Sequence, residues 1–125
     1  MERIEADNLA FLVATRDIGN DGGPSIEVHT QVGDKDVQLL RFDCFRVRPH
    51  YHYDPNSMDE EHNLDTILIE DSLPWALTQL RQRLPQMVTH AGYPEVAGAI
   101  QSPAVAHGLD EVEAFFQKES TAQSA

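Results

Sequence analysis

At 125 residues the chain has the length of a single domain, and 41% hydrophobic against 24% charged residues is ordinary globular usage, which excludes a disordered or fibrous class. Its formal net charge of −12 repels phosphate backbones and anionic bilayers, so neither nucleic acid nor a membrane is expected as a partner. The acidic start Met1-Glu2-Arg3-Ile4-Glu5 is unlike a signal peptide, no apolar run reaches the roughly 20 residues of a membrane span, and the lone Cys44 can form no internal disulfide; together these predict a cytoplasmic protein.

Along the chain, the apolar run 9–15 has no diagnostic period and is read as a strand, with a short helix as the alternative. Residues 17–24, dense in Gly, Asn, Asp and Pro, read as a hairpin loop. Ile26, Val28, Thr30 and Val32 then alternate with Glu27, His29 and Gln31, the pattern of a strand with one wet face. After a turn at Gly33-Asp34, a further strand is expected over 37–47. Adjacent Leu39 and Leu40 break its alternation and imply a bulge or a doubly covered strand. Residues 54–63 read as an exposed loop and 65–69 as a short strand.

The second half is helical in pattern. Leu73, Leu77, Leu80, Leu84, Met87 and Val88 recur at three and four residues, Asp71 or Ser72 can cap the start, Pro74 suits the first turn, and Pro85 is expected to kink or break the helix. A last helix is expected over 109–118, with 119–125 as a flexible tail after a single domain at 1–118. Strands followed by helices predict an α+β fold, with a three- or four-stranded antiparallel sheet covered on one face by two or three C-terminal helices.

The most unusual stretch runs from Arg46 to Tyr53. If one strand continues through it, Arg46, Arg48, His50 and His52 share one side while Tyr51 and Tyr53 take the other. Arginine forks match carboxylates and tyrosines supply an aromatic wall, so Arg46, Arg48, Tyr51 and Tyr53 are the candidate ligand-binding residues for a small organic acid. His50 and His52 are the candidate acid–base residues of an alternative, enzymatic reading. They are also candidate ligands of a divalent metal, with Asp59, Glu60, Glu61 or His62 as the third, although Arg46 and Arg48 on the same side would oppose a dication, so no cofactor is predicted. A plainer account pairs Arg41, Arg46 and Arg48 with the seven acids between Asp54 and Asp71, or buries the segment between two copies of a homodimer. No phosphate loop, cysteine pair or nucleophile elbow supports a mainstream enzyme class. The expectation is an accessory or binding module.

Overall fold

A computed structural model describes residues 1–124, the expected residue 125 of the tail lying outside them. Six strands, β1 (Glu2–Ala6), β2 (Leu9–Ile18), β3 (Asp21–Val32), β4 (Lys35–Asp43), β5 (His50–Tyr53) and β6 (Glu60–Asn63), precede α1 (Ser72–His90), α2 (Pro94–Gly98) and α3 (Ser102–Ser124). The strands form one antiparallel meander in the order β1-β2-β3-β4-β5-β6. The α+β class and the helical second half therefore stand, but the expected three- or four-stranded sheet is corrected to six strands.

Three strands were missed: the two edges, and β5, which the sequence allowed only as a continuation of the preceding strand. Glu60–Asn63 carries only charged or polar side chains, and Glu2–Ala6 offers no more than the short alternation of buried Ile4 and Ala6, so little in either marks a strand. Charge on both edges also discourages further strand addition. The 17–24 segment, expected as a loop, is mostly ladder: Ile18 pairs with Asp21 across a two-residue turn at Gly19-Asn20, with Gly19 at φ 59°. Residues 65–69, expected as a strand, form a turn that leaves Ile67 and Leu68 exposed; Asp65 accepts from the amides of both.

Helices cover one face only, with α3 on β1 and β2 and α1 on β4 and β5. Phe11, Val13, Ile26, Val28, Leu40 and Phe42 point into that interface and meet Ala76, Leu80, Leu84, Val88, Leu109 and Val112, all essentially fully buried. The bulge implied by Leu39-Leu40 is present: Val28 pairs with Leu40 but His29 with Gln38, which leaves Leu39 as the extra residue, and both leucines are buried. Asp71 caps α1 by accepting from the Leu73 amide, and α1 passes through Pro85 without a break. α3 takes in residues 119–124, which the sequence placed in the tail.

Candidate functional site

β4 ends at Asp43, earlier than expected, because the chain from Cys44 to Pro49 is held across the end of β3. The Cys44 and Arg46 amides donate to the Pro24 and Gly22 carbonyls, and the Asp21 carboxylate accepts from the amides of Val47 and Arg48 at 3.0 and 2.9 Å. Desolvation pushes the Asp21 carboxyl up, but these amides, the Gly22 amide and Arg46 outweigh it and hold it below the usual range. Glycine is required at 23: its φ is 150°, and a Cβ there would lie 2.4 Å from the Cys44 carbonyl oxygen.

The chain then returns as β5, which pairs with β4 so that Arg41 faces His52 and Asp43 faces His50; Glu61 of β6 lies beyond His52. Alternation sends these five side chains to the face without helices, while Phe42, Tyr51 and Tyr53 go to the helix face. Strand geometry thus gathers two imidazoles and a buried carboxylate.

Asp43, 2% exposed, is the centre. Its carboxylate accepts from the Ser25 hydroxyl at 3.1 Å and from Arg41 Nε at 3.1 Å, and meets His50 Nε2 at 3.0 Å; Arg16 lies 3.7 Å away. His50 Nδ1 faces the Arg48 carbonyl oxygen at 2.8 Å, an atom that only accepts, so Nδ1 carries the hydrogen. His52 Nδ1 meets Asp59 Oδ1 at 2.7 Å, which fixes the same tautomer, and its Nε2 accepts from Arg41 Nη2 at 3.1 Å. Nε2 of His52 also lies 3.5 Å from Glu61 Oε1 and 3.8 Å from Asp43. Asp59 reaches His52 because the 54–59 loop is stapled: the Asp54 carbonyl accepts from the Ser57 and Asp59 amides, and its carboxylate accepts from the Met58 amide and the Tyr93 hydroxyl. Asp54 and Asp59 both adopt left-handed φ, which Asp tolerates.

A cleft of about 450 Å³ opens beside this cluster, lined by Arg16, Asp21, Arg41, Asp43, Arg48, His50 and Glu61. The sequence candidates are therefore partly united and partly separated. His50, His52 and Arg48 come together. Arg46 does not join them; it lines a neighbouring hollow with Thr15, Gly23 and Leu73. Tyr51 and Tyr53 lie on the opposite face, where Tyr51 stacks on Phe42 and His62, and burial pushes the Tyr53 hydroxyl up to about 12. His62 is there too, sharing Glu60 with His90, and cannot act with His50 and His52.

Sequence reasoning missed Arg16, Arg41 and Asp43 as site residues, whereas Asp59 and Glu61, two of the third ligands it offered, do lie against His52. One signal was available, since Asp43 interrupts the apolar run Phe42 to Phe45, and an acid at such a position is buried only with partners.

The model of a family described as a domain of unknown function (DUF7700) matches residues 3–116, so the chain belongs to that family. No curated protein and no solved structure matches it.

Proposed function

We propose that this domain is a noncatalytic binding module that takes the carboxylate of a small organic acid into the cleft between β2, β3 and the start of β5. The observation that carries the reading is a concentration of cations: Arg16, Arg41 and Arg48 line one cleft in a chain with only nine Lys and Arg against 21 acids. Two of the three acids of the cleft are already engaged, while Glu61 is 42% exposed and lies 3.5 Å from His52 Nε2. Asp43 is buried under Ser25, Arg41 and His50, and the Asp21 carboxylate is taken up by backbone amides. Arg48 is exposed, and its guanidinium makes no ion pair among the described residues. A free guanidinium beside a second, half-exposed one favours an incoming carboxylate by charge and fork geometry.

Binding is favoured over acid–base catalysis by the imidazoles themselves. The Nδ1 hydrogens of His50 and His52 are committed to the Arg48 carbonyl and to Asp59, and their Nε2 atoms lie against Asp43 and Arg41, so neither ring has a proton to offer a substrate.

The test is a thermal-shift and titration series with acetate, succinate, citrate and benzoate in the presence of EDTA. At least one carboxylate should raise the melting temperature of the wild type, and Arg48→Ala should remove most of that shift while Arg83→Ala, on the exposed side of α1, leaves it intact. A wild type indifferent to all four acids, or a shift that survives in both Arg16→Ala and Arg48→Ala, would overturn the proposal.

A further inference from the structure

His50 has a hydrogen-bond problem that a proton or a metal ion can solve. Its Nδ1 hydrogen is committed to the Arg48 carbonyl, which leaves the Nε2 lone pair aimed at a carboxylate oxygen only 3.0 Å away. Two acceptors cannot face each other at that distance without a positive centre between them. His52 has the same tautomer and also turns its Nε2 lone pair inward. One donor atom from each of Asp43, His50 and His52 lies within 4.8 Å of the other two.

We infer that Asp43, His50 and His52 form a binding site for one first-row divalent transition ion, of the zinc, iron(II) or manganese(II) class. Ligands about 2.1 Å from such an ion stand roughly 3.0–3.4 Å from one another. The 3.0 Å from Asp43 to His50 already lies in that range, whereas His52, 3.8 Å from Asp43 in a trio that spans up to 4.8 Å, must move inward to ligate. Glu61 Oε1, 3.5 Å from His52 Nε2, is placed to become a fourth ligand. Two imidazoles with one or two carboxylates select a borderline transition ion over Mg²⁺ or Ca²⁺, which take oxygen cages.

The outer layer fits as well. Metal-bound histidines ordinarily donate their other N–H to a carbonyl or a carboxylate, which fixes tautomer and ring orientation. Here the Arg48 carbonyl serves His50 and Asp59 serves His52. Opposing the ion are Arg16, 3.7 Å from Asp43, and Arg41, whose Nη2 donates to His52 Nε2. That hydrogen bond must break for His52 to ligate, so the ion and Arg41 compete for one lone pair.

The inference is independent of carboxylate binding, which is measured with chelator present. Chelator-stripped full-length protein is titrated with Zn²⁺, and separately with Mg²⁺, by calorimetry and by competition against a chromophoric chelator. One equivalent of Zn²⁺ should bind at micromolar or tighter affinity, with Mg²⁺ at least a hundredfold weaker. His50→Ala and His52→Ala should each abolish that equivalent, and Asp59→Ala should weaken it by about tenfold or more through loss of ring orientation. Arg41→Met should tighten it, an outcome that no misfolding artefact produces. X-ray absorption of the zinc complex should show two imidazoles. Absence of a stoichiometric Zn²⁺ equivalent in the wild type, or an equivalent retained in folded His50→Ala and His52→Ala proteins, would overturn the inference.

Discussion

Removing the Asp43 carboxylate should cost far more than removing any other acid of this chain. Asp43→Ala deletes the acceptor shared by the Ser25 hydroxyl and Arg41 Nε, both at 3.1 Å. Breaking a buried charged pair from one side costs about 3–5 kcal/mol because the partners stay behind unsatisfied. Here the lower end applies. The Arg41 side chain is 26% exposed and recovers part of its hydration, and Arg16, 39% exposed at 3.7 Å, adds little after screening by solvent. The expected loss is about 3 kcal/mol. For 125 residues an unfolding entropy near 0.26 kcal/mol/K converts this to a fall of about 11 °C in melting temperature. Urea unfolding followed by far-ultraviolet circular dichroism measures it, with an unchanged m-value showing that the unfolded state is not the cause. The double variant Asp43→Ala, Arg41→Ala should lose less than the sum of the singles by more than about 1 kcal/mol. A loss below about 1 kcal/mol for Asp43→Ala, at constant m, would refute the picture of a coupled cluster around one carboxylate.

Two further outcomes follow from other buried groups. His29, 7% exposed on the face without helices, lies between Asp36 and Glu27 at 2.7 and 2.8 Å; burial pushes its pKa down, but the two carboxylates outweigh burial and leave it raised. Because the folded value lies above the unfolded value of about 6.5, its stabilisation is complete below that pH and is lost as pH rises through the folded value. The stability difference between wild type and His29→Gln should therefore shrink as pH is raised from about 6 to 9, and a difference that grows would contradict the assignment. Burial pushes the Cys44 thiol up to about 12, so native protein should resist iodoacetamide at pH 8 and react only with the unfolding rate or in denaturant; rapid alkylation of the native chain would show that the segment after β4 is not closed over the core.

Part of the candidate site was legible in the sequence. His50-x-His52 follows from the two-residue period of any strand, so placing both imidazoles on one side needed no tertiary knowledge. Extending the same period backwards past Pro49 failed, because residues 44–49 are not strand. Their amides answer to the Pro24 and Gly22 carbonyls and to the Asp21 carboxylate, partners 20 or more positions away. That is why Arg48 turns into the cleft while Arg46 lines another hollow. Arg41 and Asp43 entered only through the register of β4 against β5, and Asp59 through a loop held by Tyr93.

The sequence by itself determined the α+β class, the amphipathic helix and the wet-or-dry alternation of β3, and narrowed the cap to Asp71 or Ser72 and the break at Leu39-Leu40 to a bulge or a doubly covered strand, because each depends on neighbours within a turn or two of chain. Only the tertiary structure decided the number of strands and the identity of the charged centre. Edge strands such as Glu60–Asn63 exist because a partner strand supplies their hydrogen bonds, and Asp43 is tolerated in the interior because the Ser25 hydroxyl, from a neighbouring strand, and Arg41 Nε donate to its carboxylate.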